Sequence, residues 1–201
     1  TQLPSFQNFF TAATLLPLAI ALAGSKVIHE LGHAVSCKHY GGEVHELGIL
    51  LYYFEPCFYC QVDDSYLFEN KYHRIAVMVA GAYSELIVCS FAVFLWWLTP
   101  PDIFLHRLSG FVVAITGLVA LIFNFNPLMK YDGYYILADY LEVLNLREES
   151  FKYIRAWLKK NVLRAPVQLQ DDPPRLRRIY ATYGVLALVY TAFMIFVIFL
   201  M

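Results

Sequence analysis

Charge is scarce in this chain. Lys, Arg, Asp and Glu together supply 15% of the 201 residues, against about 25% in an average soluble domain. The 15 basic residues nearly balance the 16 acidic ones, so overall charge says nothing about nucleic acid or an anionic surface; no nucleic-acid partner is expected. Cysteine is scarce too: Cys37, Cys57, Cys60 and Cys89 are too few for a disulfide scaffold. No cleavable signal peptide is expected within this sequence, because the first apolar run passes directly into His29 and Glu30 instead of ending at a small-residue site. The first residue is Thr1 rather than Met, and the chain stops at Met201 inside an apolar run. We therefore expect a piece of something longer. What the chain has in abundance is apolar surface, at 59% hydrophobic and 17% aromatic residues, and this composition indicates a membrane protein.

A spanning helix needs about 20 mostly apolar residues. Four segments approach that length: 9–40, 75–98, 109–126 and 179–201. If all four cross, their loops alternate between the two sides. The first connection carries Lys38, Lys71 and Arg74, and the third carries ten Lys and Arg between Lys130 and Arg178, whereas the second shows only Arg107. Retention of positive charge in the cytoplasm then puts the N-terminus outside. In the third connection, "EESFKYIRAWLKKNVL" places Phe151, Ile154 and Leu158 on one helical face and Lys152, Arg155 and Lys159 on another. It is either a basic helix lying on the cytoplasmic membrane surface or a solvated helix packed on the protein.

The chemistry is concentrated in "HELGH". On a helix, His29 and His33 share a face at i and i+4, so both rings can address one metal ion, and Glu30 beside them can take a proton from a water on that ion. Ionisable groups at membrane depth are costly and usually functional. The site would lie roughly 10 Å below the cytoplasmic boundary, given the helical rise from His33 to Tyr40, with Ser25, Lys26, Ser36 and Lys38 flanking a short path for water. A catalytic zinc takes a third protein ligand. His39, Glu85 and Asp132 are the candidates. His39 falls on another face near the interface, and spacing alone does not choose between mid-span Glu85 and Asp132, which follows Pro127 in "NFNPLMKYDGYY".

HELGH on a first span, followed after a third by Asn124, Pro127, Asp132 and Gly133 as N-x-x-P-x-x-x-x-D-G, resembles the site-2 protease family of intramembrane zinc metalloproteases. The stretches from His29 to Cys60 and from Asn124 to Arg147 look closest to its peptide zinc metalloprotease branch, and the resemblance covers about Ile28 to Arg147. The resemblance implies one zinc ion held by His29, His33 and Asp132, with Glu30 as general base and a three-helix core around them. Two departures stand out. Tyr131 and Tyr134 flank Asp132-Gly133 where many relatives have Leu and Gly. Gly81-Ala82-Tyr83-Ser84-Glu85 stands where many have G-P-x-x-N, an amide that in the family supports substrate or oxyanion; Glu85 fills that role only if protonated, and otherwise is an acid standing behind a ligand or an additional metal contact.

The expected architecture is thus an α-helical polytopic membrane protein. A site-2-protease-like core over 1–147 holds the first three spans, and 43–69 forms one or two membrane-associated β-hairpins. A cytoplasmic amphipathic helix and linker follow over 148–178, and a fourth spanning helix over 179–201. The expected activity is zinc-dependent endoproteolysis of membrane peptides in a bacterial cytoplasmic membrane, with the active site toward the cytoplasm. Glu30 is catalytic; His29, His33 and Asp132 are metal ligands; Glu85 and Asn124 support substrate or oxyanion. The partners are a membrane peptide, the lipid bilayer and additional domains or components of an export system. The alternative is a catalytically silent zinc-binding component of peptide export. A metal transporter would need more intramembrane ligands than the sequence offers. "CFYC" is a lone C-x-x-C, without the second pair that a structural zinc site would use.

Overall fold

The computed structural model describes residues 11–52, 55–164 and 172–200. The chain is mostly helical with one small sheet. Among the described residues, 4 helices are long and apolar enough to cross a membrane: Ala13–His39, Lys71–Leu98, Phe104–Asn124 and Pro174–Leu200. The residues expected to open the first span, 9 and 10, lie outside the described part. Large apolar side chains along these helices, among them Val35, Phe91, Phe94, Val189 and Phe199, are more than half exposed. Such a surface is unsuited to water and natural in lipid.

The chain forms two compact units, Thr1–Phe125 and Asn126–Met201. In the first, helix α1 (Ala12–His39) ends in a Schellman turn. Gly41 takes φ +89, Gly42 N–H donates to the Cys37 carbonyl at 3.0 Å, and Gly41 N–H donates to that of Lys38 at 3.1 Å. The chain then enters one antiparallel hairpin, β1 (Leu47–Tyr52) against β2 (Glu55–Cys60), in register from Leu47↔Cys60 to Tyr52↔Glu55. Residues 53 and 54, between the two strands, lie outside the described part. Asp63 and Asp64 open a 3-10 turn, Asp63–Leu67. Asp64 accepts from Glu43 N–H at 2.9 Å and lies 3.2 Å from His45 Nε2. The Glu43 amide and then His45 hold the Asp64 carboxyl below the usual carboxylate range.

Helix α2 (Lys71–Leu98) starts before the expected Ile75 because the Asn70 side chain accepts from Tyr72 N–H at 2.9 Å and caps the first turn. Pro100 and Pro101 follow its end and cannot continue it. The third span is three pieces: α3 (Phe104–Ala114), a π-helical stretch over Ile115–Val119, and α4 (Ala120–Asn124). A π stretch shifts which residues face a neighbouring helix and is frequent beside functional sites. Gly32 sets the contact between α1 and α2: a Cβ there would lie 2.5 Å from the Ala80 carbonyl oxygen and 2.6 Å from Ser84 Oγ. Ser84 Oγ lies 3.0 Å from the Ile28 carbonyl oxygen and 2.7 Å from that of Gly81, and it donates toward both. Close approach at a small residue plus one interhelical hydroxyl bond is how helices associate without water.

In the second unit, α5 (Asp132–Leu141) and α6 (Leu146–Asn161) precede α7 (Pro174–Leu200). Tyr134, Val143, Leu146, Tyr180, Tyr183 and Ala187 make its core. The expected amphipathic helix is α6. It packs on α7, where a Cβ at Gly184 would meet Ile154 Cδ1 at 2.5 Å, and its Lys152, Arg155, Lys159 and Lys160 stay exposed.

Candidate metal centre

His29 and His33 stand one turn apart on α1, both buried, with their Nε2 atoms 3.0 Å apart and their rings at 80°. The far nitrogen of each ring has a partner on α2. His33 Nδ1 is 2.7 Å from the Val77 carbonyl oxygen, which only accepts, so that nitrogen carries the proton. His29 Nδ1 is 3.1 Å from Glu85 Oε2, and the other oxygen of that carboxylate accepts from Ser25 Oγ at 2.5 Å. Both imidazoles are therefore Nδ1–H tautomers, assigned from the hydrogen-bond network, and both turn an Nε2 lone pair toward the other. Two lone pairs at this distance repel one another, and a cation bound by both removes the conflict. Tetrahedral ligands at about 2.0–2.1 Å from zinc are separated by roughly 3.3 Å, close to the observed spacing.

Gly81 leaves room in front of this pair. A Cβ at that position would lie 2.5 Å from His33 Nε2 and 2.7 Å from His29 Nε2. The donor set and the space beside it fit a metal ion.

Glu30 is half-buried on α1. Its carboxylate acts on Cys60 at the end of β2, whose thiol is raised to about 11 by burial first, then by the charge of Glu30 and by Cys37. The strand β2 that carries Cys60 packs against α1, the helix that carries Glu30. The Cys57 side chain lies outside the described part, and Cys60 is a free thiol. Asn124, buried at the end of α4, places its amide 3.4 Å from His29 Nδ1. That nitrogen already donates to Glu85, so the amide suits it only with its oxygen turned toward the ring.

Asp132 belongs to the second unit as the first residue of α5, where a carboxylate favours the helix N-terminus. The loop leading to it is tied down. Tyr183 Oη donates to the Pro127 carbonyl at 3.2 Å and Arg147 Nη1 to that of Leu128 at 2.7 Å. The bulk of Tyr134 is absorbed in the core of this unit, its hydroxyl accepting from Arg147 N–H at 3.2 Å. The remaining four histidines are occupied elsewhere: His39 packs edge-on to Tyr40, His73 stacks on Tyr40 at 4.3 Å, His45 meets Asp64, and His106 Nδ1 donates to the Thr99 carbonyl at 2.9 Å.

Sequence reasoning gave no weight to three features of the site. The Val77 carbonyl is backbone and has no residue signal. Ser25 reads as part of a water path until Glu85 is seen across from it. Gly81 reads as half of a family motif until its missing Cβ is measured against the histidines.

The chain is similar to the "Putative peptide zinc metalloprotease protein YydH" of Bacillus subtilis, at 28% identity over 141 residues covering 66% of this chain and 49% of that protein. It thus spans about half the length of the curated relative it matches. No family model matches the chain, and no solved structure does.

Proposed function

We propose that this protein is a zinc-dependent endopeptidase of the site-2 type, hydrolysing peptide bonds of membrane-embedded or membrane-associated peptides. The observation that carries the reading is the pair of buried Nε2 lone pairs converging beside Gly81, each backed by an acceptor on its far nitrogen, with Glu30 next to His29 on the same helix. Similarity to a protein named as a zinc metalloprotease supports it. In this reading His29 and His33 bind one zinc through Nε2 and Asp132 is the third ligand, its loop held by Arg147 and Tyr183. When bound, the ion supplies Lewis acidity and lowers the pKa of its water to about 7. Glu30 would be the residue that takes the proton of the attacking water and passes it to the leaving amine. Asn124 supports the site through its amide. The β1–β2 hairpin, packed against α1 through β2, offers an edge on which an extended peptide can pair.

The same proposal takes 1–147 as the protease core, 148–178 as a cytoplasmic helix and linker, and 179–201 as a further span. It puts the N-terminus outside a bacterial cytoplasmic membrane and the site toward the cytoplasm. Its partners are the substrate peptide, lipid and any further domains or export components.

The test compares purified wild type with Glu30→Gln for zinc content and for cleavage of a panel of membrane peptides. Equal zinc, with cleavage by wild type alone and its loss on chelation, is the expected result. Equal zinc with no cleavage by either across the panel would replace the proposal with a silent zinc-binding component.

A further inference from the structure

The geometry points to Glu85 as a positioning residue: with Ser25 it forms a buried chain that fixes the His29 ring, and it is not itself a metal ligand. This inference rests on the proposed metal site.

Glu85 is 1% exposed on a membrane-spanning helix. A carboxylate removed from water costs several kcal/mol unless its oxygens are satisfied. Both are: Oε1 accepts from Ser25 Oγ at 2.5 Å, and Oε2 lies 3.1 Å from His29 Nδ1. Ser25 and His29 are one helical turn apart on α1 and address the two oxygens from one face. On α2, Glu85 is one turn beyond Gly81. The glycine opens the space in front of Nε2, and the glutamate holds the ring from behind.

The two nitrogens of an imidazole point in divergent directions. Glu85 is on the Nδ1 side of His29, while the position shared with His33 is on the Nε2 side. It is thus misplaced to bind an ion held by both Nε2 atoms. Its effect passes through His29: it keeps the proton on Nδ1, locks the ring plane, makes Nε2 a stronger donor and offsets part of the ion's charge in a low-dielectric setting. This also accounts for a carboxylate where the resembling family has an amide. A Gln or Asn offers one accepting atom, whereas Ser25 and His29 each present a donor.

The test uses the full chain in detergent as wild type, Glu85→Gln, Ser25→Ala and His33→Ala. Zinc affinity is measured by competition with a chromophoric chelator, and the visible spectrum is recorded with cobalt(II) replacing zinc. Melting of the metal-free proteins checks the fold. Glu85→Gln should still bind one zinc at saturation, about 10- to 100-fold more weakly, with a shifted cobalt spectrum, and Ser25→Ala should move both in the same direction by less. Unchanged affinity and spectrum in Glu85→Gln would overturn the inference. So would loss of metal at saturation as complete as in His33→Ala, since that marks a direct ligand. If wild type itself binds neither ion, the metal reading falls and this one with it, an outcome that the wild-type arm alone reveals.

Discussion

A methyl group is enough to close the space beside the two histidines, because at Gly81 it would stand 2.5 Å from His33 Nε2 and 2.7 Å from His29 Nε2. Gly81→Ala is therefore expected to keep the helical fold and lose at least tenfold in zinc affinity, read by chelator competition beside circular dichroism. Wild-type affinity in that variant would mean that the ion does not use this space. At this scale the sequence was informative where spacing on one helix decides the geometry. His29 and His33 face one point because they are a turn apart, and Glu30 lies between them in the sequence. What stayed hidden depends on how α2 is registered against α1. Nothing in the residues from Val77 to Glu85 tells which carbonyl meets His33 or that Ser25 meets Glu85, since both partnerships cross between helices.

At the scale of elements, that register is set at Gly32, whose missing Cβ lets α1 rest on the Ala80 carbonyl. A backbone oxygen cannot swing aside as a flexible side chain can. Gly32→Val should thus push the helices apart at a cost of about 1–3 kcal/mol, seen as a lower melting temperature of the metal-free protein in detergent. An unchanged melting temperature would remove Gly32 from the contact. The helices themselves were legible from apolar length, and the α1 stop from Gly41 and Gly42. Their ends moved where local chemistry intervened, as with the Asn70 cap, and the π stretch over Ile115–Val119 has no counterpart in the hydrophobic pattern. Helix α6 packs on α7 through Ile154 against Gly184 with its basic residues outward, an arrangement that suits either a surface-lying or a solvated helix.

At the scale of the whole molecule, the exposed apolar belts on four long helices fit an integral membrane protein. Their orientation is predicted from the charges between them. Single cysteines at Glu69 and Lys160, in a variant lacking the native four, should be labelled by an impermeant maleimide only from the cytoplasmic side, and one at Asp102 only from the opposite side. The reverse pattern would invert the proposed topology and put the site near the outer face.

The central claim is that two imidazoles and a carboxylate hold zinc within these helices, and zinc-edge X-ray absorption on the purified chain in lipid tests it most directly. The predicted result is one zinc per chain with a shell of nitrogen and oxygen only, at about 2.0–2.1 Å, carrying the scattering signature of two imidazoles that weakens in His33→Ala. A sulfur shell at about 2.3 Å, or zinc whose surroundings His33→Ala leaves unaltered, would contradict it.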